Sequence, residues 1–167
     1  MGRTGRPALD FPIYLDGPGH MEGRAMNERY RFADFDEIMK QFPDQADTLI
    51  VDAYLSDSVE ASMRLFRIYH PLPRHYHTQC DEHLLLLRGK LEFLIEDEPP
   101  RTLQAGQMVS FLRNVVHGVR PIGTAPVIFF AADTPRRAPD DVHFIDPEAA
   151  KGLKFVSHLK DYANTID

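Results

Sequence analysis

A single cysteine, Cys80, among 167 residues excludes an intramolecular disulfide framework and suits a reducing compartment. Long apolar runs are also missing. The longest, 84–87 and 127–132, fall far short of the roughly 20 residues that a membrane-spanning helix needs. Basic residues form no cluster and the formal net charge is −6, so the electrostatic footprint of a nucleic-acid or anionic-membrane binder is absent. The leading Met-Gly-Arg-Thr-Gly-Arg-Pro is charged but no apolar stretch follows it, which argues against a secretory signal and makes the cytoplasm the expected location. Internal repeats and low-complexity segments are not seen. What is present, 43% hydrophobic and 26% charged residues, is the composition of one globular domain large enough to bury a core.

Three regions separate by pattern. Residues 1–47 read as an irregular arm, rich in Gly, Pro and Arg, followed by a short helix. The arm's aromatics (Phe11, Tyr14, Tyr30 and Phe32) suggest packing on the chain's own barrel or on a neighbour. Asp34 is placed to cap a helix, with Glu37 three residues on, as in a capping box. Phe35, Ile38, Met39 and Phe42 then fall on one face, and Pro43 ends the segment after about two turns. From 48 to 132 short apolar runs alternate with turn residues, the signature of an all-β barrel or sandwich. Strands are expected near 48–55, 61–69, 74–78, 82–88, 90–96, 101–103, 107–112, 117–121 and 126–132, with a tight hairpin at Arg88-Gly89-Lys90. Residues 133–167 read as an irregular C-terminal extension packing on the barrel, with a helix start at Asp146-Pro147-Glu148.

Within the strands, His75 and His77 are one residue apart, so both imidazoles face the same way. Two imidazoles on one face are a ready pair of metal ligands. Glu82 shares a strand face with Leu84 and Leu86, where a carboxylate needs a cation, a proton or a partner. His117 opens a later strand, its spacing carrying no signal alone.

Taken together, His75-x-His77, Glu82 after four intervening residues and Gly89 after six more resemble the first cupin motif; Gly106 followed after ten residues by His117 resembles the second. Tyr69 stands where the first motif expects Gly; in the second, Leu112, Asn114 and Pro121 replace Pro, Gly and Asn. None of these is a ligand position, and Asn tolerates the left-handed conformation that Gly would supply. The resemblance implies a jelly-roll β-barrel, usually dimeric, holding one divalent transition-metal ion (Fe, Mn, Ni or Zn) on His75, His77, Glu82 and His117.

Two arginines are candidates for binding an anionic substrate: Arg67, if strand parity carries it inward, and Arg113, in the turn before His117. Cys80 lies in the turn between ligands, with no neighbouring cation to lower its pKa. His70 is expected at the rim and His83 on the opposite strand face, while His20, His143 and His158 are expected in solvent. Leucines on both faces of 84–87 require outer cover from the helix, the arm or a second subunit, and a homodimer is the leading expectation. The expected activity is that of a metal-dependent enzyme on a small, anionic organic substrate, dioxygenase ahead of isomerase or lyase. The alternatives are a non-catalytic binding or sensing barrel and a metal-free epimerase-like barrel using a His–Asp pair.

Overall fold

The computed structural model describes residues 32–148 and 150–162. Phe11, Tyr14, His20 and Tyr30 of the arm lie outside the described residues.

Helix α1 spans Phe35–Met39, and the Asp34 carboxylate accepts from the Glu37 N–H at 3.1 Å. Glu37 pairs with Lys40 at 2.6 Å, so the N-cap forms as expected while the Glu37 side chain serves the next turn of the helix. Among the described residues eleven strands follow. They are β1 (Thr48–Asp57), β2 (Ser62–Ile68), β3 (Leu72–Tyr76), β4 (Asp81–Arg88), β5 (Lys90–Ile95), β6 (Arg101–Gln104), β7 (Met108–Phe111), β8 (His117–Pro121), β9 (Val127–Thr134), β10 (His143–Phe144) and β11 (Lys154–His158), with a 3₁₀ turn at Leu159–Tyr162.

They form two facing sheets, ordered β11-β1-β2-β9-β4-β7 and β10-β3-β8-β5-β6, the layout of an all-β jelly-roll barrel. Apolar side chains of both inner faces meet in one core that includes Phe66, Leu84, Leu86, Leu91, Phe93, Val119 and Phe129. Leu86, Leu91, Phe93 and Phe129 are at most 1% exposed, and burying such a side chain contributes about 1.5–3 kcal/mol.

A second cluster lies on the outside of the larger sheet. There Ile38 and Phe42 pack on Val51, Ala53, Leu65 and Ile128, with Met39 and Leu87 beside them and Phe35 stacked on Phe130. The helix thus supplies outer cover for Leu87 on β4.

Turn chemistry fixes the connections. Gly89 has φ +86, and a Cβ there would stand 2.5 Å from the Pro126 carbonyl oxygen, so the β4–β5 hairpin admits only Gly without rearrangement. Asn114 takes φ 67, the left-handed conformation expected of it, and its N–H donates to the His77 carbonyl at 2.7 Å. That bond ties the turn before His117 to the chain carrying the other two histidines.

Residues past 134 differ from the irregular reading. β11 adds to β1 in parallel, with Thr48 opposite Lys154, and β10 adds to β3, with Phe144 opposite His75. The segment after Asp146 makes only turns, and no helix forms there among the described residues. Nor is any described helix long and apolar enough to cross a membrane.

Candidate metal centre

β3 and β8 pair with His75 opposite His117, and His77 follows β3 by one residue. All three histidines are 2–3% exposed, and each presents a ring nitrogen within 4.8 Å of the other two. Their other nitrogens face backbone oxygens. Nδ1 of His75 lies 2.7 Å from the Pro73 carbonyl, that of His117 lies 3.0 Å from Val115, and that of His77 meets the Asp141 carbonyl. A carbonyl oxygen only accepts, so Nδ1 carries the proton in each ring and the lone pair of a neutral imidazole sits on Nε2.

Burial, reinforced by His117, pushes the His75 pKa down to about 3, and burial likewise lowers that of His77. Nε2 of His77 and of His117 are buried with no aligned hydrogen-bond partner. Phe111 lies flat against the His117 ring and fixes its plane.

Glu82, on β4, aims at the same point. Its Oε2 stands 3.2 Å from His117 Nε2 and 3.8 Å from His77 Nε2, and its Oε1 accepts from Arg137 at 3.2 Å. Burial works to raise its pKa, but the charge of its neighbours, the Arg137 guanidinium among them, holds the carboxyl well below the usual range. An ionised oxygen facing two nitrogen lone pairs is repulsive unless a positive charge sits between them. One proton can serve one such pair; it cannot serve three rings and a carboxylate together. Donors around one transition-metal ion, each about 2.0–2.2 Å from it, stand roughly 3–3.5 Å apart; the 3.2 Å between Glu82 and His117 matches that spacing, and the 3.8 Å to His77 is slightly wider. These residues could hold one metal.

The centre opens on a cavity of about 20 Å³, lined by Ile50, Phe66, Leu72 and Phe155 with His75, His117, Glu82, Arg64 and Arg137. That is room for little more than one water-sized ligand. Arg64 and Arg137 are 3% and 8% exposed. Arg64 bridges Asp52 at 3.2 Å and Asp133 at 2.9 Å, and burial, which alone would lower its pKa, is outweighed by those two carboxylates.

The two arginines singled out from sequence lie elsewhere. Arg67 donates to the carbonyls of Pro43 and Asp44 and sits over the Tyr69 ring, on the outer face beneath the helix. Arg113 is exposed and pairs with Asp81 at 3.5 Å. Strand parity separates the arginines on β2: Arg64 shares the inner face with Phe66 and Ile68, Arg67 the outer with Leu65. Arg137 arises from a stretch of loop composition that gave no signal.

A second group, His77, Cys80 and Asp141, also has clustered ligand atoms. Its carboxylate is already occupied. Asp141 accepts from Thr78 N and Oγ1 at 2.8 Å and from Gln79 N at 2.9 Å, and lies 3.7 Å from the Cys80 thiol and 3.2 Å from His143. It locks the 78–80 turn, and burial pushes the Cys80 thiol up to about 12.

The remaining histidines divide. His70 sits beside the Ala46 carbonyl at 3.1 Å, and His83 meets Ser110 and Thr134 on the face of β4 opposite Glu82. His143 and His158 are not simply solvated: His143 stacks on Tyr76, and His158 bonds Asp52 at 2.6 Å.

Residues 68–133 match the cupin domain family. Solved structures with the same fold include a double-stranded β-helix protein from Klebsiella pneumoniae (17% identity, TM-score 0.54, 64% of this chain and 90% of that one). Others are a cupin-2 domain protein from Shewanella frigidimarina (18%, 0.52, 61% and 93%) and TT1209 from Thermus thermophilus (18%, 0.53, 64% and 98%). A search of curated proteins found no matching relative. Residues 68–133 thus carry the match to the cupin domain, and the barrel has the fold of these solved structures.

Proposed function

We propose that the chain is a metal-dependent enzyme that binds one divalent transition-metal ion (Fe, Mn, Ni or Zn) on His75, His77, His117 and Glu82, and acts on a small anionic organic substrate. The observation that carries this reading is the convergence of buried nitrogen lone pairs, tautomers fixed by backbone carbonyls, on an ionised carboxylate. A metal held there supplies Lewis acidity toward a bound oxygen atom and, if it is iron, access to dioxygen. The chain's own residues do the rest. The Nδ1 bonds hold each imidazole in register, Phe111 backs His117, and Arg137 occupies one Glu82 oxygen so that the other faces the centre. Ile50, Phe66, Leu72 and Phe155 exclude bulk water, and Arg64 and Arg137 stand in the wall, each paired with carboxylates.

Dioxygenase chemistry is the first reaction class in this reading, ahead of isomerase or lyase chemistry. A second reading, binding or sensing without turnover, is favoured by the small size of the cavity. The working unit in either reading is a cytoplasmic homodimer.

Elemental analysis of protein purified without added metal, with oxygen uptake measured on catechols and keto acids, tests the proposal. Iron with substrate-dependent uptake supports the dioxygenase. Zinc or nickel with no uptake contradicts it and leaves isomerase or lyase chemistry, or binding. Absence of any stoichiometric metal contradicts the metal-dependent reading itself.

A further inference from the structure

Nine side chains line the cavity at the candidate metal centre, and eight of them are buried. The ninth, Phe155, is half-buried and reaches solvent. Its place in the sheets also differs. Seven of the eight stand on β1, β2, β3, β4 and β8, each of which has a strand on either side. The eighth, Arg137, is tied to Glu82 at 3.2 Å. Phe155 belongs to β11, an edge strand that among the described residues pairs only with β1. A side chain on an interior strand moves only by disturbing close-packed neighbours, whereas one at an edge can turn toward solvent with the sheet intact.

The ring stands beside the histidines. Phe155 meets His75 edge-on, centroids 5.8 Å apart, and meets the Phe144 ring of β10 at 5.9 Å. Phe144 is in turn 6.0 Å from His75. β10 and β11 are edge strands of the two facing sheets, so these two rings close the seam between the sheets at the centre. Behind them the void is about 20 Å³, room for one water. An organic substrate can touch an ion there only if one wall gives way.

We propose that Phe155 is the gate residue of this centre: in place it limits ligands to the size of water, and turned outward it admits an organic substrate between β10 and β11. The proposal rests on the metal reading above and adds the residue that determines size. Admission depends on bulk, not on charge, so a smaller side chain at position 155 widens what the ion accepts. Apparent affinity scales with the fraction of molecules whose binding-competent form is populated, and removing the gate raises that fraction.

Co(II)-loaded protein reports bound ligands through its visible absorption, and imidazole, a neutral ring, is the probe. Wild type, Phe155→Leu, Phe155→Ala and Val156→Ala are compared. Val156 is the exposed neighbour on β11 and does not line the cavity. The imidazole dissociation constant should tighten about tenfold or more in Phe155→Ala, less in Phe155→Leu, and keep the wild-type value in Val156→Ala. In metal-free protein the gate is read by diethyl pyrocarbonate, which acylates the lone-pair nitrogen of a neutral imidazole. Modification of His75 and His117, located by peptide mass, should be about tenfold or more faster in Phe155→Ala than in wild type. Iodoacetamide labelling of Cys80, which is buried outside the cavity lining, should not change. If Phe155→Ala does not fold, Phe155→Leu carries both measurements. Equal imidazole constants in wild type and the Phe155 variants overturn the proposal. Acceleration of Cys80 labelling by the same factor as the histidines also overturns it, because the ring would then only be holding the fold together. Failure of the wild type to take up Co(II) contradicts the metal reading instead, and the modification rates of the metal-free proteins then decide the gate.

Discussion

Phe111 and His117 lie face to face, ring centroids 4.1 Å apart and planes within 2°. Phe111 is 3% exposed, ends β7 and packs on Phe93 in the core, so the barrel's apolar interior directly supports one wall of the candidate centre. Phe111→Ala removes that backing and leaves a cavity, at a cost of about 3–5 kcal/mol. Phe111→Leu should cost less yet still loosen His117. Urea unfolding and Ni(II) titration of both variants check this, and unchanged Ni(II) affinity in the alanine variant would show that the ring is not held by its neighbour.

Glu82 has two duties, one per oxygen. Glu82→Gln keeps an acceptor for Arg137 and the shape of the site but loses the charge, so Ni(II) affinity should drop about tenfold or more, with a small change in stability. Glu82→Ala strands the Arg137 guanidinium as an uncompensated buried charge and should destabilise by about 3–5 kcal/mol. Equal stability of the two variants would contradict the ion pair.

His158 gives the fold a pH dependence. Its hydrogen bond to Asp52 raises its pKa above 6.5; burial opposes the shift, Asp52 and Asp161 reinforce it, and Lys160 works against it. A group whose pKa is raised by folding stabilises fully below its unfolded value and loses that contribution as pH rises through the folded one. The stability gap between wild type and His158→Gln should accordingly be widest in mild acid and shrink on the alkaline side. Urea midpoints across that range measure it; a gap independent of pH would mean that His158 is not charged in the pair.

Cys80 is 1% exposed, and burial pushes its thiol to about 12. Iodoacetamide should label it slowly in native protein and rapidly in urea. Rapid native labelling would place the thiol at the surface and contradict its burial.

Two glycines with nearly the same φ separate strain from space. Gly89 at +86 faces the Pro126 oxygen, 2.5 Å from where a Cβ would be, whereas Gly106 at +87 has nothing within 4 Å. Gly106→Ala should cost about 1–2 kcal/mol from backbone strain alone, and Gly89→Ala distinctly more. Similar urea midpoints for the two variants would contradict the close approach at the hairpin.

How much of this was legible in the sequence depends on how local each signal is. The nine strands of the barrel and the cap at Asp34 rest on short-range periodicity and turn residues. His75, His77, Glu82 and His117 rest on that periodicity plus a motif. Arg67 was ambiguous because β2 is apolar on both faces: Leu65 lies under the helix while Phe66 and Ile68 fill the barrel, so parity alone could not choose its direction. Arg137 and Asp141 were invisible for a different reason. They belong to a polar, proline-containing stretch whose importance comes from the chain's return to the sheet edges beside β1 and β3, a non-local pairing made by strands of five and two residues.

X-ray absorption at the metal edge of zinc-loaded protein tests the central claim most directly, because it counts the atoms around the ion. The account predicts three imidazole nitrogens at about 2.0–2.1 Å and at least one carboxylate-type oxygen, with one nitrogen scatterer lost in His117→Ala. A spectrum with sulfur in the shell, or one left unchanged by loss of His117, would place the ion elsewhere and contradict it.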